Sequence, residues 1–133
     1  MKAFHIDIVT PDGLEYSGEV ESLLVRTDDG DVEILAGHTD MLSSISVGRV
    51  RMIENGVKRF AAVNGGFLSI KDKQVRLCAI TFEFADQIDL ARAEAAKLKA
   101  EEKLSSAKTK MDIDVAKAKL MRALSRIDVV NMK

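Results

Sequence analysis

Phe82-Glu83-Phe84-Ala85-Asp86-Gln87-Ile88-Asp89-Leu90-Ala91-Arg92-Ala93 divides the chain into two compositions. All eight glycines lie at or before Gly66, the one proline is Pro11, and all six aromatics precede residue 85. Beyond Gln87 there is no Gly, Pro or aromatic, and Ala, Lys, Leu and Glu become frequent. Glycine and proline punctuate turns and aromatics suit pleated sheets, whereas Ala, Leu, Lys and Glu are strong helix formers. The stretch therefore predicts an α+β organisation: a β domain over residues 1–85, then a helical domain over 86–133.

Charge divides at the same place. Residues 1–86 carry nine basic and fourteen acidic side chains, net −5; residues 87–133 carry eleven and seven, net +4. The overall charge of −1 hides an acidic β part and a basic helical tail. The balance argues against a dedicated nucleic-acid binder, while the tail is where an acidic partner would be met. The 133 residues leave room for one or two small domains, with enough apolar composition, 47%, to build a core. No apolar run approaches the roughly 18 residues of a membrane span, so no direct membrane insertion is expected. The stretch from Met1 to Asp7 lacks the apolar core of a secretory signal. One cysteine, Cys78, excludes an internal disulfide framework, and with only two histidines no zinc site is expected.

In the first part, Phe4, Ile6 and Ile8 alternate with His5, Asp7 and Val9 as in a strand. Pro11-Asp12-Gly13 predicts a turn, and strands follow over Val20–Arg26 and Val32–Leu35. Val50–Glu54, Asn55-Gly56 and Val57–Ala61 predict a hairpin with the favoured Asn-Gly turn. Asn64-Gly65-Gly66 predicts a break or bulge, after which Phe67–Ile70 resumes. Gln74 to Phe84 is apolar at both alternating sets and predicts one central strand. Short strands at such spacing, with no helix-length spacers, predict an antiparallel β-sandwich or barrel.

In the second part, Asp86 predicts an N-cap, with Ile88, Ala91, Ala95 and Leu98 on one helical face. After Ser105–Thr109, Asp112 predicts a second cap, with Ile113, Ala116, Leu120, Ala123 and Ile127 on one face. A short link predicts an antiparallel α-helical hairpin. Its alanine-rich seam buries little apolar area, so the hairpin is expected to be weakly cohesive and able to open.

No phosphate-binding glycine loop is present. His5 and His38 lack a neighbouring Ser or Cys with a carboxylate, so both read as structural, Cys78 reads as a small buried hydrophobe, and no catalytic residue is expected. Two features remain: Ile88-Asp89-Leu90-Ala91-Arg92-Ala93, and the pair Arg122 and Arg126, four apart on one helical face. Paired guanidiniums need solvent or an anion, and their planar forks suit phosphate. In an antiparallel hairpin they would approach Asp89 and Arg92. An ordinary solvated basic face is the other reading.

Three segments in order carry a resemblance that covers essentially the whole chain. Gly30-Asp31-Val32-Glu33-Ile34-Leu35-Ala36-Gly37-His38-Thr39-Asp40-Met41-Leu42, Asn64-Gly65-Gly66-Phe67-Leu68 and Asp86-Gln87-Ile88-Asp89 resemble the epsilon subunit of bacterial F-type ATP synthase. Ala36 departs from the proline usual before Gly-His. The resemblance implies a ten-stranded sandwich with a helical hairpin and a non-catalytic role in a rotor. It implies partners in the gamma subunit, the c-ring and the alpha/beta catalytic head. It implies residence at the cytoplasmic face of the bacterial plasma membrane, as a peripheral part of the complex. There the subunit helps couple proton-driven rotation to ATP synthesis, and its extended helices inhibit ATP hydrolysis.

Ile88 to Ala93 also resembles the ATP-binding motif of the Bacillus-like branch. That implies ATP as a regulatory ligand, with no cofactor required. Glu83, Ile88, Asp89, Arg92 and Ala93 would surround the base, and Arg122 and Arg126 would hold the phosphates. The competing reading is a stand-alone sandwich-and-hairpin adaptor with no nucleotide role.

Overall fold

A computed structural model describes residues 2–132; Met1 and Lys133, the outer limits of the two expected domains, lie outside the described residues. Eight strands come first: β1 (Phe4–Thr10), β2 (Gly13–Val20), β3 (Ser22–Thr27), β4 (Gly30–Ile34), β5 (Met41–Glu54), β6 (Val57–Lys71), β7 (Gln74–Ala79) and β8 (Phe82–Phe84). A 3₁₀ turn over Ala85–Gln87 leads into helices α1 (Leu90–Ser106) and α2 (Lys110–Asn131). No helix among the described residues is long and apolar enough to cross a membrane.

The strands form one folded-over sheet in the order β2-β1-β7-β6-β5-β3-β4, with β8 on β6. Its spine is the β5–β6 hairpin, paired from Met41↔Ile70 to Glu54↔Val57. Asn55 and Gly56 turn it at φ +52° and +78°, the left-handed pair that matches strand twist. β6 changes partners midway, pairing β8 through Ala61–Val63 and β7 through Gly66–Lys71. β5 and β6 thus run through both layers, and the described residues form eight strands where the resemblance implies ten. The core between the layers holds Ile6, Ile8, Leu23, Ile34, Leu68 and Leu77, all fully buried.

Several expectations are corrected. Asn64-Gly65-Gly66 does not break the strand, while the expected bend at Gly65-Gly66 is there within β6. Gly66 sits at φ +130°, and a Cβ there would lie 1.9 Å from the Cys78 carbonyl oxygen, so only glycine permits this approach. Gln74 to Phe84 is two strands, split at Ile80-Thr81 where β6 bends away. β7 is central but alternates in burial, exposing Gln74 and Arg76, and Cys78 is half-buried. The pairing is antiparallel except for β1 with β7 (Ile6↔Val75), which the rest of the domain connects, so no tight hairpin dictates their direction. Without the proline, the turn Leu35–His38 still closes, His38 N donating to Leu35 O at 3.2 Å with Gly37 at φ +81°.

The helix caps also differ. Asp86 lies in the 3₁₀ turn, and Asp89 is the cap of α1, its Oδ1 accepting from Arg92 N at 3.1 Å. Thr109 caps α2, accepting from Asp112 N, while Asp112 stands in the first turn, facing the helix dipole. The α2 face is as expected: Ala116 and Ala123 are buried, with Ile113, Leu120 and Ile127 half-buried. On α1 the buried residues are Ala93 and Ala100, flanked by half-buried Leu90, Lys97 and Leu104. Ala91, Ala95 and Leu98 face outward. Ala93 and Ala100 form the seam, and their small side chains let the helices pack closely, with Leu90 and Leu104 toward its ends.

A clasp reaches from the edge strand β2 across to the other layer. The Tyr16 hydroxyl of β2 donates to Glu54 of β5. Tyr16 also meets the Phe84 ring edge-on at 5.9 Å, and the Arg59 guanidinium lies 3.9 Å from the Phe84 centroid.

Two outcomes follow. Gly66→Ala should destabilise the fold by more than about 3 kcal/mol, measured by urea unfolding, because backbone must move to admit one methyl. Burial and the Glu54 hydrogen bond push the Tyr16 hydroxyl up to about 12. In the unfolded chain a tyrosine releases its proton near pH 10 while folded Tyr16 keeps it, so stability should fall as pH rises from about 10 to 12. Tyr16→Phe should remove that part of the pH dependence in alkaline melting curves.

Candidate functional site

A cleft of about 530 Å³ lies between the β1–β2 turn and the start of α1. Thr10, Asp12 and Glu15 form one wall, Thr81, Phe82 and Glu83 another, and Gln87, Ile88, Asp89, Arg92, Ala93 and Ala96 together with Arg126 complete it. Six of the seven residues singled out in the sequence, Glu83, Ile88, Asp89, Arg92, Ala93 and Arg126, line this one space. Arg122 does not. It lines a neighbouring groove of about 250 Å³ between the helices, with Lys99, Lys103, Lys119 and Arg126. Arg126 borders both spaces.

Local folding explains the assembly. Pairing of β8 with β6 (Ala62↔Glu83) points Glu83 out of the core while Phe82 and Phe84 point in. The 3₁₀ turn, where Gln87 Oε1 accepts from Phe84 N at 3.0 Å, reverses the chain and delivers Ile88 and the Asp89 cap to the cleft mouth. One turn on, Arg92 and Ala93 follow. Arg126 arrives from the far end of α2 because the hairpin is antiparallel. Its Nε donates to Glu83 Oε1 at 2.6 Å, an ion pair with both side chains about one-third exposed. The anion that the Arg126 guanidinium finds is therefore a carboxylate of the β domain.

Charge sorts the two spaces. The charged residues of the groove are five cations, Lys99, Lys103, Lys119, Arg122 and Arg126. The cleft sets Asp12, Glu15, Glu83 and Asp89 against Arg92 and Arg126, with Ile88, Ala93 and Phe82 adding apolar surface. The groove suits an anion, and the cleft beside it offers both acceptors and cations.

Sequence reading missed Thr10, Asp12, Glu15 and Thr81, which enter only through tertiary folding of the β1–β2 and β7–β8 turns. Their nearest local signal was the Pro11-Asp12-Gly13 turn, which says nothing of what the turn faces. The structure also brings polar partners to His5 that the sequence did not reveal. His5 Nε2 lies 3.0 Å from Asp7 and 3.2 Å from Ser17 Oγ, and Nδ1 lies 3.5 Å from Glu19. The Ser17 hydroxyl donates to Asp7 at 2.6 Å on an open strand face, so its proton is committed to the carboxylate rather than to His5. That hydroxyl and His5 lower the Asp7 pKa. His38 Nδ1 donates to the Thr39 carbonyl at 2.9 Å.

Residues 3–85 match the family model of the ATP synthase Delta/Epsilon chain beta-sandwich domain, and residues 86–131 that of its long alpha-helix domain. The chain is 41% identical over 129 residues to the ATP synthase epsilon chain of Bacillus velezensis, covering 97% of this chain and 98% of that one. It is 40% identical over 129 residues to that of Bacillus subtilis, with the same coverage. In fold it resembles a chain of the Euglena gracilis mitochondrial ATP synthase structure of OSCP, F1 and c-ring. That match has a TM-score of 0.79 at 20% identity and covers 98% of this chain and 80% of the other. Sandwich, hairpin and full-length similarity agree: the chain belongs to the ATP synthase epsilon-chain family.

Proposed function

We propose that the chain is the non-catalytic epsilon subunit of a bacterial F-type ATP synthase whose folded hairpin is held by ATP. Its partners in this reading are the gamma subunit, the c-ring and the alpha/beta catalytic head, at the cytoplasmic face of the plasma membrane. There it couples rotation to ATP synthesis, and its released helices inhibit ATP hydrolysis. Family membership supports the rotor role. The observation that carries the ATP reading is the convergence of Glu83, Ile88, Asp89, Arg92, Ala93 and Arg126 on one cleft that opens beside a purely cationic groove.

The base lies between Ile88 and Ala93, with the Glu83 carboxylate accepting from its amino group. The phosphates reach Arg126 and, through the groove, Arg122. Asp89 contributes mainly as the cap that fixes the first turn of α1, and so the placement of Arg92 and Ala93. Both side chains of the Arg126–Glu83 ion pair reach solvent, about one-third exposed, and solvent-exposed pairs contribute about 1 kcal/mol or less. An arriving triphosphate therefore draws Arg126 away at little cost and leaves Glu83 free to accept. The Arg126–Glu83 contact is thus exchanged for two contacts to the ligand.

ATP then favours the folded state by RT ln(1 + [ATP]/Kd), about 2.7 kcal/mol at one hundred times Kd. When ATP is scarce the helices leave the sheet, and the basic second helix meets acidic segments of the catalytic head. Arg122 and Arg126 thus serve two partners in exclusive states.

Calorimetric titration of ATP into the full chain should show one saturable site, tighter than for ADP. Arg126→Ala should weaken it by about ten- to a hundred-fold, the worth of a charge-assisted contact. Absence of saturable heat at millimolar ATP would contradict the ATP reading.

A further inference from the structure

The two helices are attached to the sheet very differently. α2 packs on β5, β6 and the 3₁₀ turn, whereas α1 packs on α2. On its sheet-facing side α1 borders the open cleft, with Arg92, Ala93 and Ala96 across from the β1–β2 turn.

The contacts of α2 concentrate in its last two turns. Val129 is fully buried in a slot formed by Ala62 and Ala85, with Phe60 and Ile88 packed around it. Ser125 Oγ donates to the Gly48 carbonyl of β5 at 2.9 Å. Arg49, next along β5, lies 3.5 Å from the Asp128 carboxylate. An apolar plug, a backbone hydrogen bond and an ion pair thus converge within five residues of helix.

We propose that Ser125, Asp128 and Val129 form a latch that holds the whole hairpin on the sheet without any ligand, α1 being held chiefly through α2. Opening this one end frees both helices. It also empties the slot against Ile88, which is at once part of the slot and part of the cleft wall. The latch therefore sets the closed population before any nucleotide arrives, and a ligand in the cleft is the second hold, on α1. This proposal does not depend on what fills the cleft.

The test uses the full chain without nucleotide, in a Cys78→Ser background. Single-molecule energy transfer between dyes at Leu98→Cys on α1 and Leu42→Cys on β5, both exposed positions, reports how far α1 lies from the sheet. A second pair, Met121→Cys with Leu42→Cys, reports α2. Ser125→Ala should enlarge the long-separation population about five-fold, the effect of one lost hydrogen bond. Val129→Ala should enlarge it ten-fold or more. Asp128→Ala, on an exposed side chain, keeps the test valid if Val129→Ala fails to fold. Both dye pairs should lengthen together. Lengthening of the α2 pair alone, or no change in either pair, would overturn the proposal.

Discussion

Seating of Val129 between Ala62 and Ala85 is the contact on which the arrangement of the two domains depends. It is a small contact. One buried valine supplies roughly 1.5–3 kcal/mol, and the alanines across the helix seam add little per residue. The ion pair from Arg126 to Glu83 and the hydrogen bond from Ser125 to Gly48 lie within a turn of it on α2. In the proposed reading, a hairpin held this way is folded but close to balance. Energies of one to three kcal/mol, the scale of a bound metabolite, are then large enough to move it. The sandwich is built on another scale, with a core drawn from all eight strands.

That difference lets a rigid platform present one movable element. Glu83 faces the cleft because β8 is pinned on both sides. Its pairing with β6 fixes the register, and the Phe84 ring is held by Tyr16 and Arg59. The changeover at Gly66, where backbone meets backbone, lets β6 serve β7 on one half and β8 on the other. Without that bend β8 would have no ladder to join, and the carboxylate would have no fixed position for Arg126 to meet.

Much of this was legible in the chain before folding. The loss of glycine, proline and aromatics after residue 87 marked where sheet gives way to helix, because those residue types carry local conformational preferences. Alternation in Phe4–Ile8 and the Asn55-Gly56 turn read correctly for the same reason. The α2 face read correctly because Ile113, Leu120 and Ile127 stand out against alanine. The α1 face did not, since alanines and leucines lie on both stripes, Leu98 on one and Leu90 and Leu104 on the other, and the choice is made by the partner helix. The caps shifted from Asp86 to Asp89 and from Asp112 to Thr109, because several residues in each segment can cap and the 3₁₀ turn decides the first. At the site, the helical motif and the arginines could be named. Glu83 came only through resemblance, and Asp12 and Glu15 not at all, because their approach is set by how the layers fold over.

A platform with a loosely held hairpin has a signature that separates it from a uniformly stable molecule. Its helices should open without the sheet, and a cleft ligand should close them selectively. Native-state amide hydrogen exchange across a series of ATP concentrations reads both at once. With rising ATP, amides of α1 and α2 should slow in proportion to 1 + [ATP]/Kd while those of β6 and β7 keep their rates. Helix amides that exchange as slowly as the sheet without ATP, and do not respond to it, would contradict a ligand-held hairpin.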